Sequence, residues 1–197
     1  MEMVDTFNHI YGPAEEPAEN KVLQIQWPAV RQKAVDIAAA WAGLRSTDGT
    51  DADRGGEIDK IEALWGLHGD PWCAMFACYC TAKALMFTEN LTTLEDGMQL
   101  LASSLCESAS CEDLMQQAKQ RGAFHAIEDA EEGDMVLYCW NGSGRAEHVG
   151  LFLRHIDAAT IEDIEGNTTR DGSPSDSHGV YVRTRGTECV LGAVGLR

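Results

Sequence analysis

The chain has 197 residues, with 15 Lys and Arg against 32 Asp and Glu and a formal net charge of −17 at pH 7. A phosphate backbone is bound by clustered Lys and Arg, so this balance argues against a nucleic-acid partner. Hydrophobic residues make up 44% of the chain, which fits a globular chain with one core. A membrane helix needs about 18 consecutive apolar residues, and no run in the sequence is that long, which argues against membrane insertion.

The N-terminal residues contain neither the basic segment nor the apolar run of a secretory signal, which predicts a protein made in the cytoplasm. Residues 1–27 include two prolines, a glycine and a cluster of Glu and Asn, which predicts a loosely ordered extension before a domain at 28–197. Seven cysteines cannot all pair within one chain, and without a signal we expect reduced thiols.

Apolar residues at helical spacing predict an amphipathic first helix over 28–44. A short second helix is predicted at 57–65. After the cysteine-containing stretch described below, two further helices are predicted at 94–105 and 112–121, the last closed by Gly122.

The Gly- and Asp-rich stretch before the second helix has part of the spacing of a calcium loop. Counted from Asp51, acidic residues fall at positions 3, 7, 9 and 12, and Gly56 falls at position 6. Position 5 is Gly55, which has no side-chain oxygen, and acidic residues are also favoured at any helix N-terminus. A calcium site and an acidic helix start therefore both stay open. The candidate ligands are Asp51, Asp53, Glu57, Asp59 and Glu62.

The stretch 69–76 predicts a helix N-terminus with a cysteine in its first turn. Asp70 is a good N-cap and Pro71 a good first helical residue, so we expect a helix from here to about residue 87. The unpaired N–H groups and the positive end of the helix dipole favour a thiolate at Cys73, which makes it a candidate nucleophile. Cys73 also lies on an apolar face of this helix, so a core position is the alternative.

Beyond Gly133 the pattern changes to short apolar runs separated by turn residues. Helices followed by strands at hairpin spacing predict an α+β domain, with the cysteine helix lying against an antiparallel sheet of about five to six strands. The predicted strands are 135–140, 148–155, 160–165, 180–185 and 189–196.

A catalytic cysteine needs a base for its proton, and the base needs a third group to orient it. If strands 148–155 and 160–165 form a hairpin turning near residues 156–157, His148 lies opposite Glu165 with both side chains on one face. Asn167 could orient the imidazole instead, or donate to an oxyanion. A strand-edge histidine and a surface glutamate are the alternative, and a slip of one residue would separate the two side chains.

Six short motifs occur in the order seen in CHAP-domain cysteine peptidases and amidases, and the chain resembles this family over residues 30–197. The resemblance is to small stand-alone phage and bacterial members, which are related to NlpC/P60 enzymes and share a papain-like core. It implies that Cys73 is the nucleophile, His148 the base, and Glu165 or Asn167 the orienting residue. The motifs are DRG at 53–55, PWCAMF at 71–76, EGDMV at 132–136, HVG at 148–150, IEGNT at 164–168 and GVYVR at 179–183.

The resemblance implies hydrolysis of an amide bond in bacterial peptidoglycan, by an endopeptidase or an N-acetylmuramoyl-L-alanine amidase. The thiol mechanism requires no cofactor, although some CHAP domains bind calcium before the cysteine helix. Trp72, Tyr138 and Trp140 could wall the substrate groove, with core packing as the alternative. The wall would be reached after release, injection or secretion by another system. An antibacterial amidase toxin, similar to type VI effectors, and a non-catalytic module of the same fold remain alternatives.

Overall fold

The computed structural model describes residues 25–46, 53–170 and 178–195. The predicted extension, residues 1–27, thus lies almost wholly outside the described residues. Within them, α-helices come first in the chain, as expected, and three short helical turns at 63–65, 127–129 and 187–189 are of the 3-10 type. The α-helices are α1 (Trp27–Ala40), α2 (Gly56–Glu62), α3 (Cys73–Thr88), α4 (Leu94–Ser104) and α5 (Cys111–Gln120).

The C-terminal half forms one six-stranded sheet in which neighbouring strands are antiparallel. The predicted α+β class, with N-terminal helices packed on a C-terminal antiparallel sheet, is confirmed. The first strand was not predicted, because two residues are too short to show an alternating pattern. In the spatial order β1-β6-β2-β3-β4-β5, the strands are β1 (Phe124–His125), β2 (Met135–Tyr138), β3 (His148–Asp157), β4 (Thr160–Thr168), β5 (Gly179–Gly186) and β6 (Val190–Val194).

Helix α3 lies at the centre of the fold, and eleven of its 16 residues are buried. It contacts α1 and α4 on the helical side and strands β3 and β4 on the sheet side. Gly97 of α4 lies so close to the backbone of Ala82 in α3 that a Cβ would collide with it. An apolar surface on nearly every side suits a helix enclosed by its neighbours. This packing brings the N-terminus of α3 to the sheet.

The start of α3 differs from the prediction. The helix begins at Cys73 with Trp72 in the N-cap position, rather than at Pro71 with Asp70 as the cap. The reason is the carboxylate of Glu62, which accepts hydrogen bonds from the backbone N–H of Gly69 (3.0 Å) and Asp70 (2.9 Å). These bonds hold the approach loop, residues 66–72, outside the helix. Cys73 nevertheless lies in the first turn, as expected.

The hairpin of β3 and β4 also differs from the predicted register. The turn lies at residues 158–159, and Leu151 pairs with Ile164 and Phe152 with Asp163. This pairing is displaced by two residues from the one that sets His148 opposite Glu165. Because side chains alternate with a period of two, an even displacement keeps both residues on the same face. They are therefore diagonal neighbours, and diagonal neighbours remain within reach of long side chains.

Candidate active site

Three predicted site residues meet where the N-terminus of α3 faces the sheet. Cys73 is the first residue of α3, His148 the first of β3, and Glu165 lies within β4. The Nε2 atom of His148 lies 2.9 Å from Oε2 of Glu165, and the charge and hydrogen bonding of His148 lower the pKa of the Cys73 thiol. The arrangement is that of a nucleophile, a base and an orienting carboxylate.

The environment of Cys73 favours the thiolate. The Sγ atom of Cys111 lies 3.5 Å from Sγ of Cys73, and this hydrogen bond contributes most to lowering the pKa of Cys73. Burial opposes the shift, while the charge and hydrogen bond of His148 and the backbone N–H of Ala74 add to it. The pKa of Cys73 therefore falls well below that of an ordinary thiol, so the sulfur is nucleophilic at neutral pH.

His148 carries the complementary charge. Burial lowers its pKa, but the negative charges and hydrogen bonds of Cys73 and Glu165 outweigh burial and raise the pKa to about 10. Its side chain is only 9% exposed, so solvent screens these interactions weakly. At neutral pH the pair is a thiolate and an imidazolium, the charge state from which a cysteine hydrolase begins.

Arg185 on β5 is a fourth member of this network, and sequence reasoning missed it. Its Nε lies 2.5 Å from Oε1 of Glu165 and its Nη2 lies 2.6 Å from Oε2, a bidentate pair with a fully buried carboxylate. Its backbone pairs with Ile161, four residues from Glu165 along β4, so the contact depends on the reach of the side chain. A long cationic residue inside a predicted strand was the one signal available in the sequence.

The charge of Glu165 is maintained by these partners. Burial raises its pKa, but hydrogen bonds from Arg185 and His148 and the charges of both outweigh burial and hold the pKa well below its usual range. Charge-assisted bidentate hydrogen bonds of this kind are among the strongest in proteins. Glu165 is therefore an anion that fixes the ring of His148 and stabilises its positive charge.

Trp140 covers the imidazole and is half exposed to solvent. Its ring lies 5.5 Å from that of His148 and stacks on Tyr138 at 5.5 Å, and the guanidinium carbon of Arg185 lies 5.4 Å from its centroid. The structure thus places Trp140 at the mouth of the site, where a substrate could contact it. Trp72 cannot wall the substrate groove, because its side chain is fully buried and packs against Phe76. Core packing, the alternative that the sequence leaves open, is the role it takes.

A second buried carboxylate lies behind the first. Asp163 Oδ2 accepts a hydrogen bond from the hydroxyl of Tyr138 at 2.6 Å, and burial together with the charge of Glu165 raises the pKa of Asp163 well above its usual range. Both carboxylates pack over Gly150, where a Cβ would lie 3.0 Å from Cγ of Glu165 and would collide with Asp163. Glycine in the HVG motif makes room for this acidic pair.

Asn167 does not take the orienting role. Its Oδ1 lies 2.8 Å from Nδ1 of His178, and its backbone φ is 55°. The register of β4 and β5 shifts between Glu165 and Thr168, which marks a bulge. A bulge redirects side chains, and asparagine tolerates the left-handed conformation that this one needs. Of the two predicted candidates, Glu165 therefore contacts the imidazole.

The described part of the candidate calcium loop forms the acidic first turn of α2, the second of the two alternatives that the sequence leaves open. Asp51 lies outside the described residues, and Asp53 precedes α2. Helix α2 begins at position 6 of the predicted loop, so the last three candidate ligands lie on a helix instead of wrapping around an ion. Glu57 faces solvent and pairs with Lys60 at 2.5 Å. Glu62 is buried and occupied by the approach loop.

A different group near this loop could hold a metal ion. Carboxylate oxygens of Asp59 and Glu62 and a ring nitrogen of His68 lie within 4.8 Å of one another. An imidazole in the set favours a transition metal over calcium, which prefers oxygen ligands. Glu62 already accepts the N–H groups of Gly69 and Asp70, so its hydrogen bonds account for its burial without an ion.

A groove of about 420 Å³ lies apart from these residues, with Trp65, Met98 and Glu107 among its lining. None of the described residues that line it is a cysteine or a histidine. Of these two places, Cys73 is the one where a thiol, an imidazole and a carboxylate converge.

Comparisons with protein-family models, with curated proteins and with solved structures give no match. The resemblance to CHAP enzymes therefore rests on the six sequence motifs. Within the described ranges, none of the helices is both long enough and apolar enough to cross a membrane.

Proposed function

We propose that this chain is a cysteine hydrolase that cleaves an amide bond of bacterial peptidoglycan. The observation that carries the proposal is the contact of His148 with Glu165 beside the Cys73 thiolate at a helix N-terminus. Residues distant in sequence seldom meet in these three roles by chance, and the pKa values of the thiol and the imidazole shift in the directions that catalysis requires.

The reaction begins with attack of the Cys73 thiolate on the carbonyl carbon of the substrate amide. A C–S bond forms, and backbone N–H groups at the start of α3 stabilise the negative charge on the carbonyl oxygen. His148 donates its proton to the amide nitrogen, and the C–N bond breaks to release an amine. Water, deprotonated by His148, then attacks the thioester, which releases the carboxylate product and restores the thiol pair.

The substrate class is supported by the resemblance to CHAP enzymes, whereas the thiol chemistry is supported by the geometry. Endopeptidase and amidase activities break the same kind of bond and place the same demands on the three residues. Peptidoglycan lies outside the cytoplasm, so the enzyme reaches it after release, injection or secretion. A toxin delivered to a competing cell would use identical chemistry.

The test is digestion of purified peptidoglycan, followed by mass spectrometry of the released fragments. We expect the wild-type protein to create one type of new amine and carboxyl end, which identifies the scissile bond. Cys73→Ala should abolish release. The matched control is Cys80→Ala, which removes a buried thiol two turns further along the same helix and should retain release. Equal release by wild type and Cys73→Ala would contradict the role of Cys73, and no release by any variant would favour the non-catalytic module.

A further inference from the structure

The nucleophile has a second thiol beside it. Cys111 is the first residue of α5, and its Sγ lies 3.5 Å from Sγ of Cys73, although the two are 38 residues apart in the chain. Both side chains are buried, with 5% and 7% of the residue surface exposed. The contact is therefore made by the packing of two helix N-termini against each other.

The two sulfurs are close to bonding distance. A disulfide requires about 2.05 Å between sulfurs, so the pair needs to close by about 1.5 Å, a movement that side-chain rotation can supply. One of the two is also the reactive species for disulfide chemistry, because the thiolate is the attacking form and Cys73 carries it.

The other buried cysteines of the helical layer have a different environment. Burial raises the pKa of Cys78, Cys80 and Cys106, which keeps them in the unreactive thiol form. Cys78 donates to the carbonyl of Ser108. An oxidant that reaches this part of the protein should therefore react first with Cys73.

We propose that Cys73 and Cys111 form a dithiol modification site, which hydroperoxides convert to an intramolecular disulfide that blocks the nucleophile. The block rests on the proposed hydrolase function, whereas formation of the disulfide does not. Cys111 is the resolving thiol, and its position determines that oxidation stops at a reversible stage instead of proceeding to sulfinic acid.

Oxidation of the Cys73–Cys111 pair proceeds in two steps. The Cys73 thiolate attacks the distal oxygen of the hydroperoxide, so an S–O bond forms, the O–O bond breaks, and Cys73 becomes a sulfenic acid. The leaving alkoxide, or hydroxide from hydrogen peroxide, takes the proton of the His148 imidazolium and departs as an alcohol or as water. The sulfur of Cys111 then attacks the sulfenic sulfur. The S–S bond forms, the S–O bond breaks, and the hydroxide leaves as water with the proton of Cys111. Two thiols are oxidised by two electrons and one hydroperoxide is reduced.

The experiment treats the reduced full chain with hydrogen peroxide, blocks remaining thiols with N-ethylmaleimide, and measures intact mass and cross-linked peptides. We expect the wild type to lose two hydrogens and two alkylation sites, and the cross-link to join Cys73 to Cys111. A dithiol reductant should reverse both changes. A cross-link between other cysteines, or a peroxide-resistant Cys73, would overturn the proposal.

Two variants separate the resolving thiol from general reactivity. Cys111→Ser cannot form the Cys73–Cys111 cross-link, and we expect it to accumulate at least about tenfold more sulfenic acid at Cys73 than the wild type, trapped by dimedone. The control Cys189→Ser changes a half-buried cysteine at the end of the short 3-10 turn before β6, and this variant should form the cross-link like the wild type. If Cys111→Ser does not fold, the wild-type peptide map alone decides the outcome.

The two proposals fail in different ways. The cross-link is read by mass, so it can be present in a protein that hydrolyses nothing. If the hydrolase proposal holds, peroxide should abolish hydrolysis in step with cross-link formation, and reductant should restore it. Full hydrolytic activity of a completely cross-linked protein would contradict the block.

Discussion

The imidazole of His148 and the carboxylate of Glu165 are joined by a 2.9 Å contact between Nε2 and Oε2. The two residues lie on adjacent strands and are offset diagonally, and the carboxylate is also held by the guanidinium of Arg185. The thiolate, the imidazolium, the carboxylate and the guanidinium follow one another from the N-terminus of α3 into the sheet, so negative and positive charges alternate. Each member depends on the next, which makes the network testable one residue at a time.

Replacement of Glu165 by glutamine should test the orienting carboxylate. The amide keeps the size of the side chain but removes the negative charge that stabilises the imidazolium. We expect kcat/KM to fall by about 100-fold or more, the scale of a general acid–base contribution. The measurement is steady-state hydrolysis of the fragment identified from peptidoglycan. Glu162 on the same strand pairs with exposed Arg154, so Glu162→Gln should change kcat/KM little, and equal losses in both variants would contradict this role.

Replacement of Arg185 should test a positioning residue that acts through Glu165. Arg185→Met leaves a buried carboxylate without its cation, so the pKa of Glu165 rises and the acid limb of the pH–rate profile should move to higher pH. Breaking a buried pair should also cost about 3 kcal/mol of unfolding free energy. Arg185→Lys should restore the position of the acid limb in part, because the positive charge returns without the two parallel hydrogen bonds of the guanidinium.

The control for Arg185 is Arg154→Met, which breaks an ion pair whose arginine side chain is 67% exposed. Solvent and salt screen such surface pairs, so the stability and the pH profile of this variant should match the wild type. Urea unfolding and the pH–rate profile measure the two effects separately. An Arg185→Met protein that loses stability but keeps the wild-type acid limb would show that the arginine is only structural.

The alkylation rate of Cys73 should report the thiolate directly. Because the pKa of Cys73 lies well below the ordinary thiol value, the rate with iodoacetamide should already be on a plateau at pH 7 and should stay there to pH 9. Mass spectrometry of the Cys73 peptide measures the rate. In urea the alkylation rate of the same cysteine should instead follow a pKa of about 8.5, the value of a free thiol. A rate that rises tenfold per pH unit in the folded protein would contradict the thiolate.

The pH dependence of stability should follow His148. Its pKa rises from 6.5 to about 10 on folding, so its contribution is fully present below pH 6.5 and is lost as the pH rises through about 10. We therefore expect the difference in unfolding free energy between wild type and the uncharged variant His148→Asn to shrink between pH 6.5 and pH 10. Urea titrations at three pH values measure it. A difference that grows with pH would have the wrong sign.

Gly150→Ala should disturb the paired carboxylates without removing any of them. The added Cβ would collide with Asp163 and press on Glu165, so we expect a loss of about 1 to 3 kcal/mol in unfolding free energy and lower activity. Thermal or urea unfolding measures the loss. Gly56→Ala is the control, because a Cβ there meets open space and should cost little. If Gly150→Ala keeps the stability and activity of the wild type, the predicted collision with Asp163 is contradicted.

The sequence by itself determined the α+β class, the helix that begins near Cys73, and the strand that begins at His148. These features depend on local spacing and on the alternation of side chains, both of which can be read from neighbouring residues. The predicted strand register was wrong by two residues, but the predicted contact between His148 and Glu165 is present, because an even displacement keeps both side chains on the same face.

The tertiary structure decided which side chains surround that pair. The guanidinium of Arg185 reaches Glu165 across the sheet, and α5 brings Cys111 to Cys73, and neither contact follows from spacing because the partners are 20 and 38 residues apart. Burial of Trp72 and the bulge that turns Asn167 away also depend on packing between elements. Local patterns specify which face a residue occupies, whereas the packing of helices on the sheet specifies what it touches.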